Sequence, residues 1–474
     1  MKKKIVDFAL GLQSFFTKKT IIIMVTVLLL IGSGYYAYGF LKNNKKGVLI
    51  NALNVAEKIS SLLVIEPDRQ KELAVVNQLV QEFSKQDGVT RSFLLMLQNS
   101  MELRPGGGFL GQYAIIKIKN GEVVSTFVED ANLLDQRIST DVPAPAVLTK
   151  KMGIKNWKFR DSNFSPDFPT NVAKAEYFLR LAGSPSKFDG VIAVNSQAFN
   201  DVLELTGPVS APGNATVFDS TNATLKLEEI VEKPYLLDQK LDTQNRKEIM
   251  KSLAAVIIKK LSNIQDVPKL AEFFHKELQN KNIMLNLSDA ELQAAVDSVY
   301  WNGKVAADWG GDYLMMVDSN LGALKTDYYI KREIGYDIDL TGEKPIVTLS
   351  LNYKNTAQAG DWRTSDYHSY LRVYVPEGAK LLENKMVSPL GGNGVEFGKT
   401  YFGFILHTVM RTETNATIKY ELPNNFTQDD YRLLVQKQSG VGDVPIKVHI
   451  KTKEGKEFNQ EGVLQGDLKF QINQ

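Results

Sequence analysis

The feature that most constrains this chain is a long apolar run near its start. Residues 21–41 contain no charged side chain, and as a helix they would span about 31 Å, the thickness of a bilayer core. Lysines lie on both sides, with the excess before the run, so the positive-inside rule predicts a cytoplasmic N-terminus and an extracytoplasmic remainder. A cleaved signal peptide is the alternative, but no convincing small-residue cleavage site follows. We therefore expect a single-pass, uncleaved membrane anchor in the cell membrane.

Composition limits what the rest of the chain can do. A chain of 474 residues is long enough for two or three domains. Its net charge of +2 comes from 56 basic and 54 acidic residues, a balance that argues against nucleic-acid binding. The absence of cysteine excludes disulfides, thiolate metal sites and cysteine nucleophiles.

Periodicity predicts the domain organisation. Helical spacing of apolar residues predicts a helical spacer over residues 47–87, after a cytoplasmic tail (1–20) and the membrane helix (21–41). Strands and helices then alternate, which predicts an α/β (α+β) mixed-sheet domain over residues 88–312. Residues 222–300 within it are expected to be mostly helical.

From residue 313 to 474 the chain is rich in strands, which predicts an all-β sandwich-like domain. One of these strands alternates Leu371, Val373 and Val375 with polar and aromatic residues, so we expect it to be half-buried. Residues 391–394, Gly-Gly-Asn-Gly, are expected to form a loop at a hairpin tip.

Between the first two predicted strands lies an unusual turn, Glu102-Leu103-Arg104-Pro105-Gly106-Gly107-Gly108. A strand-to-strand reversal needs one glycine, and this turn has three, flanked by an acid and an arginine. One hypothesis is a structural turn with solvated charges. The other is a site in which backbone N–H groups and Arg104 face an anionic group.

This turn and several later motifs resemble a bacterial envelope family, domain of unknown function 4012. The later motifs are Arg160-Asp161-Ser162-Asn163, Asp189-Gly190-Val191-Ile192 and Leu205-Thr206-Gly207-Pro208-Val209. The run Tyr313-Leu314-Met315-Met316-Val317 is similar to the C-terminal half of that family. The likeness covers most of the chain after the anchor and implies an envelope location without implying an activity.

A more remote resemblance concerns chemistry. The order of elements and the arginine-containing turn resemble the LytR-CpsA-Psr phosphotransferases, which move glycopolymers from a polyprenyl pyrophosphate carrier to the cell wall. The resemblance implies catalytic roles for Arg104, Asp130 and Arg160, with Mg²⁺ held by Asp130. This chain departs from that pattern, because glycines and Phe109 replace a Ser-Asp-Thr run and Glu129-Asp130 replaces an Arg-Asp pair.

A pyrophosphate site needs arginines, a carboxylate for Mg²⁺ and exposed backbone donors. Arg104, Arg137 and Arg160 are candidates for the first role, and Asp130 or Asp161 for the second. The wider candidate ligand-binding set is Glu102, Gly106, Gly107, Gly108, Arg137, Asp161 and Asn163.

Structural explanations stay open for each candidate. Arg160 and Asp161 are also consistent with a surface ion pair, and Asp130 with a strand-end turn. Asp161, Asn163 and Asp167 offer oxygen ligands for Ca²⁺, but their spacing is not that of an EF-hand. Trp362, Tyr367 and Tyr370 would suit either a glycan-binding face or a core.

Two functions follow from these observations. The first is an extracytoplasmic envelope protein that binds a glycan or a lipid-linked envelope precursor without catalysis. The second is a divergent, Mg²⁺-dependent phosphotransferase that attaches a polyprenyl-linked polymer to the cell wall.

Overall fold

The chain folds into two compact units that take alternating segments of the sequence. The computed structural model describes residues 67–234, 248–263, 267–423 and 431–472. The first unit contains the described part of residues 1–97 together with 111–134 and 185–302, and the second contains 98–110, 135–184 and 303–474. The units therefore do not follow the sequential boundary at residue 313, because the Gly-rich turn and residues 135–184 group with the C-terminal strands.

The described residues include no helix that is long and apolar enough to cross a bilayer. The predicted membrane helix, residues 21–41, lies outside the described residues, as does the first half of the predicted spacer.

One sheet of five strands belongs mainly to the first unit. Its strands are β1 (Thr90–Asn99), β2 (Phe109–Lys119), β3 (Glu122–Asp130), β4 (Gly190–Asn195) and β5 (Ile283–Leu287), in the order β3-β2-β1-β4-β5. The antiparallel hairpin β2–β3 turns at Asn120 and Gly121, which both have positive φ, as the Asn-Gly pair predicts.

Nine α-helices are described. They are α1 (Pro67–Phe83), α2 (Ala131–Gln136), α3 (Ala146–Met152), α4 (Phe168–Leu181), α5 (Ser196–Thr206), α6 (Ala223–Val231), α7 (Glu248–Asn263), α8 (Val267–Gln279) and α9 (Ala290–Ser298). Helix α1, predicted as part of a spacer, buries Val76, Leu79 and Val80 in the core of the first unit. The apolar face that indicated a helix is thus a packing face of this unit.

Strand β5 was not predicted, and residues 222–300 were expected to be mostly helical. Five apolar or amide residues between two helices carry too few positions to show a period of their own. These residues are buried and pair with β4, where Ile192 lies opposite Leu285, and they therefore form a strand. Helix α9 begins at Ala290, where the preceding Asp289 carboxylate accepts the Leu292 N–H.

The second unit contains a β-sandwich, as predicted. One sheet has the order β10 (Lys380–Lys385), β13 (Glu413–Glu421), β8 (Ile346–Asn355), β7 (Ile330–Asp339), β15 (Val444–Lys451) and β16 (Glu457–Leu464). The other has the order β11 (Ser388–Glu396), β12 (Lys399–Thr408), β9 (Tyr367–Pro376), β6 (Asp312–Asn320), β14 (Arg432–Gln436) and β17 (Leu468–Gln471). Apolar side chains of both sheets share one core, which includes Leu349 of β8 and Leu371 of β9.

Two predictions about these strands are wrong. Strand β9 is buried on both faces, because Tyr370 packs with Leu148 and Phe164 of this unit while Leu371 faces the sandwich core. Gly391 lies inside β11 and not in a loop. A Cβ at Gly391 would lie 2.4 Å from the Gly403 carbonyl carbon of β12. Glycine at this position therefore allows β11 and β12 to approach each other closely.

Candidate functional site

The Gly-rich turn of the second unit is closed by its own backbone and by Asn163. The Gly106 N–H donates to the Asn163 carbonyl at 3.0 Å, and the Gly107 N–H donates to the Arg104 carbonyl at 2.9 Å. The Asn163 side-chain amide donates to the Gly108 carbonyl at 2.5 Å. The N–H groups of Gly106 and Gly107, predicted as ligand donors, therefore already have protein acceptors.

Glycine is required in this turn for both conformation and space. Gly107 and Gly108 have φ values of +125° and +154°, which L side chains rarely adopt. A Cβ at Gly108 would lie 2.4 Å from the Asn99 carbonyl carbon and oxygen. Gly108 thus allows the turn to pack directly against neighbouring backbone.

Arg104 is buried, with 1% of its surface exposed. Its Nε donates to Asp161 Oδ1 at 3.0 Å, and a terminal nitrogen donates to Glu102 Oε1 at 2.9 Å. The other terminal nitrogen donates to the carbonyls of Leu103 and Asn320. Burial opposes the charged form, but the charges of Glu102 and Asp161 outweigh it and hold the pKa of the Arg104 guanidinium above its ordinary value. Every nitrogen of this guanidinium has a protein acceptor.

The ion pairs around Arg104 continue into the sandwich. Lys325 Nζ lies 3.0 Å from Glu102 Oε2. Burial raises the pKa of Glu102, but Lys325 and then Arg104 outweigh it, so that the pKa lies below its ordinary value. The Asp327 carboxylate accepts the Leu103 N–H at 3.0 Å and pairs with Arg332 at 2.9 Å. The turn is therefore fixed to charged groups of the second unit.

Arg160 pairs with Asp135 and not with Asp161. Arg160 Nε lies 3.1 Å from Asp135 Oδ2, with 41% of the Arg160 side chain and 4% of the Asp135 side chain exposed. Burial raises the pKa of the Asp135 carboxyl to about 6, although the charge of Arg160 opposes this. The predicted surface pair Arg160–Asp161 is wrong, because Asp161 turns inward to Arg104.

Asp130 belongs to the first unit, whereas Arg104 and Arg160 belong to the second. Its Oδ1 accepts the backbone and side-chain N–H groups of Asn132 at 2.8 and 3.1 Å, the pattern of a strand-end turn. Arg137 is exposed and donates to Ser184 Oγ at 3.3 Å. A catalytic role for Arg104, Asp130 and Arg160 stays a prediction.

The metal hypotheses concern residues that have other partners here. Asp167 caps α4 by accepting the Thr170 N–H and hydroxyl, and Asn163 bonds to the Gly-rich turn. Across the described ranges, no group of three or more His, Asp or Glu side chains is arranged to hold a metal ion. Mg²⁺ on Asp130 stays a prediction.

Residues 135–184 form a basic surface that the sequence motifs did not reveal. Of five acidic side chains in this segment, Asp135, Asp161 and Asp167 are buried, which leaves Asp141 and Glu176. Its eight basic side chains are all exposed or half-buried: Arg137, Lys150, Lys151, Lys155, Lys158, Arg160, Lys174 and Arg180. Burial thus turns an excess of three positive charges in the sequence into an excess of six at the surface.

Aromatic rings lie among these cations. Lys174 Nζ is 4.4 Å from the centroid of the Trp157 ring and 5.2 Å from that of Tyr177. The Arg180 guanidinium lies 5.4 Å from the Tyr177 ring. Lys158 donates to the Ile138 carbonyl, next to Arg137. We call the following residues the basic–aromatic surface: Arg137, Trp157, Lys158, Arg160, Lys174, Tyr177 and Arg180.

The predicted glycan-binding role of the C-terminal aromatic residues has no support in two of the three positions. Tyr367 and Tyr370 are 0% and 6% exposed. The Tyr367 hydroxyl donates to Asp327 at 2.8 Å. These two rings therefore belong to the core of the second unit.

Residues 88–231 match the family described as "Protein of unknown function (DUF4012)", which confirms the predicted resemblance over that part of the chain. No curated protein matches. Among solved structures, the Lin1025 protein from Listeria innocua is 16% identical over 45% of this chain and 80% of its own, with a TM-score of 0.25. Lmo1026 from Listeria monocytogenes is 14% identical over 45% of this chain and 77% of its own, with a TM-score of 0.24. Likenesses this distant carry no argument about function.

Proposed function

We propose that this chain is a membrane-anchored, extracytoplasmic envelope protein that binds an anionic envelope glycan or its polyprenyl-linked precursor without catalysis. The binding site in this proposal is the basic–aromatic surface and not the Gly-rich turn. The observation that carries the proposal is the separation of charge in residues 135–184, where the basic side chains lie at the surface and most of the acidic ones are buried.

This arrangement suits the chemistry of such a ligand. Arg160 offers a planar guanidinium that is 41% exposed in its side chain, and guanidinium groups bind phosphates bidentately. Lys174 lies over the rings of Trp157 and Tyr177, and such partly exposed aromatic rings provide apolar surface for the C–H groups of a sugar. Phosphate and sugar are both present in a polyprenyl-linked glycan precursor.

The phosphotransferase alternative has weaker support. It needs Arg104 to contact a pyrophosphate, and that contact requires Arg104 to leave two buried carboxylates, Glu102 and Asp161. Leaving a buried carboxylate unpaired costs several kcal/mol, of order 3–5. The phosphotransferase function implied by the resemblance to LytR-CpsA-Psr enzymes therefore stays a prediction.

Binding of a polyprenyl pyrophosphate to the full-length protein in non-ionic detergent tests the proposal. We expect the double variant Arg160→Gln/Lys174→Gln to weaken binding by roughly tenfold or more, since charge-assisted contacts to phosphate are about 1.5–3 kcal/mol each. Lys385→Gln/Lys447→Gln is the matched control, because these two side chains are 66% and 78% exposed on β10 and β15 and their loss changes net charge by the same two units.

An equal loss of affinity in Arg160→Gln/Lys174→Gln and in Lys385→Gln/Lys447→Gln would mean that only net charge matters. Unchanged binding in Arg160→Gln/Lys174→Gln would mean that the ligand binds outside the basic–aromatic surface. Either outcome contradicts the proposed site.

A further inference from the structure

Strand β3 forms one edge of the five-stranded sheet in the first unit. Within the described chain its only sheet neighbour is β2, so no second strand pairs with the outer backbone N–H and C=O groups of residues 123–128 there. Residues 123–128 read Val-Val-Ser-Thr-Phe-Val, without a charge, a proline or a glycine. Val124 and Phe127 are 56% and 47% exposed. Such an edge is a template for a further strand.

The other edge strands have a charge inside the strand, several glycines or few residues, whereas the charges of β3 lie only at its ends. Strand β10 contains Lys380, Glu383 and Lys385, and β16 contains Glu457 and Glu461. Strand β11 contains Gly391, Gly392 and Gly394. Strands β17 and β5 are only 4 and 5 residues long. Strand β3 is 9 residues long, and its pairing shifts once, between Lys117 and Ile118 of β2. Beyond that bulge, residues 125–130 pair one-to-one with β2 and keep a regular outer edge.

The charged residues at the ends of β3 determine which kind of strand can pair with it. Glu122 lies at one end, and Glu129 and Asp130 lie at the other. A second copy of β3 in an antiparallel pair centred on Thr126 would bring Glu122 opposite Asp130, and like charges directly opposite each other are destabilising. A strand with basic residues at its ends would instead place opposite charges across from these acids.

We propose that β3 is a docking edge at which a partner protein adds an extended, β-branched strand flanked by lysine or arginine residues. Backbone hydrogen bonds to residues 125–128 supply the affinity, and the acidic ends of β3 supply the choice of partner. Phe127, whose ring packs edge-on against Tyr113 with centroids 6.2 Å apart, gives the added strand an apolar neighbour. The docking edge shares no residue with the basic–aromatic surface.

The test uses the full-length protein in non-ionic detergent and two synthetic peptides of alternating valine and threonine. One peptide is flanked by lysine pairs and the other by glutamate pairs. Hydrogen exchange is followed at residues 125–128. We expect the lysine-flanked peptide to slow exchange at alternate amides of this segment, since only every second N–H of an edge strand points outward, and the glutamate-flanked peptide to have no effect.

Ser125→Lys and Ser125→Glu form a matched pair at an exposed position of β3. We expect Ser125→Lys to weaken binding of the lysine-flanked peptide by at least about fivefold relative to Ser125→Glu. Equal slowing by both peptides would overturn the charge argument. Absence of slowing at residues 125–128 would overturn the docking proposal. Exchange there that slows in the protein alone as its concentration rises would also overturn it, and would indicate a second copy as the partner.

Discussion

Arg104 and Asp161 lie 57 positions apart in the chain, and Arg104 Nε meets Asp161 Oδ1 at 3.0 Å with both side chains buried. Glu102 holds the same guanidinium from a second direction at 2.9 Å. One buried cation thus joins the Gly-rich turn to residues 159–161 within the second unit. Arg104, which the sequence suggests as a ligand-binding residue, is therefore a buried residue that holds the fold together.

Removal of the Arg104 side chain is expected to destabilise the protein strongly. Arg104→Ala leaves Glu102 and Asp161 without their common partner, and breaking a buried ion pair in this way costs about 3–5 kcal/mol. Denaturant unfolding measures the change. Lys354→Ala is the control, because its pair with Glu413 is 54% and 44% exposed, and it should leave the unfolding midpoint nearly unchanged. Equal stabilities of the two variants would show that the buried ion pairs of Arg104 do not stabilise the protein.

Alanine in the Gly-rich turn should be far more costly than alanine at another glycine with positive φ. Gly108→Ala places a methyl group against the Asn99 backbone, and we expect it to lower the free energy of unfolding by at least about 3 kcal/mol. Gly153 has φ +69°, and a methyl group there would meet no atom within 4 Å, so Gly153→Ala should cost only about 1–2 kcal/mol. Thermal unfolding compares the two, and similar losses would contradict the packing argument.

Binding of a polyanion should strengthen as pH falls through about 6. Burial raises the pKa of Asp135 to about 6, so below that pH Asp135 becomes neutral and Arg160 loses its internal counter-charge. Dextran sulfate is a suitable probe, since its sulfate groups stay ionised across this range. We expect roughly a threefold gain in affinity, the scale of one partly exposed ion pair. Asp135→Asn should bind dextran sulfate with the higher, low-pH affinity across the whole pH range. If Asp135→Asn keeps the wild-type pH profile, Asp135 is not the group that causes the pH dependence.

The stability of the first unit should fall as pH rises from about 4.5 to about 9. Burial, and then the negative charge of Asp201, raise the pKa of Glu277 from 4.5 to about 9. Between these values the native state holds a proton that the unfolded chain has released, so the free energy of unfolding decreases with pH. Glu277→Gln should remove this slope in urea unfolding followed over a pH series. A slope that persists in Glu277→Gln would assign it to other groups.

The sequence predicted the order of elements better than the environment of the site. The Asn120-Gly121 hairpin and the β-sandwich follow from local turn chemistry and strand patterning, and both are present. The partners of Arg104 do not follow in this way, because its contact with the Asn320 carbonyl spans 216 positions and no local pattern reports such a pairing.

The basic–aromatic surface shows the same limit. Its basic residues are visible in the sequence, but only the fold shows that Asp135, Asp161 and Asp167 are buried. A count of charges along residues 135–184 therefore understates the positive surface. The combination of Trp157 and Lys174 is likewise invisible in the sequence, since α4 brings Lys174 to a ring 17 positions earlier in the chain.

The most direct test of the proposed function is a map of where the ligand lies. A polyprenyl pyrophosphate that carries a photo-activated group on its pyrophosphate end is bound to the full-length protein, and the labelled residues are identified by mass spectrometry. We predict labels on the basic–aromatic surface, near Trp157, Arg160 and Lys174, and their loss in Arg160→Gln/Lys174→Gln. Labels at Arg104 or at residues 106–108, kept in that double variant, would contradict the proposed function and would restore the Gly-rich turn as the ligand site.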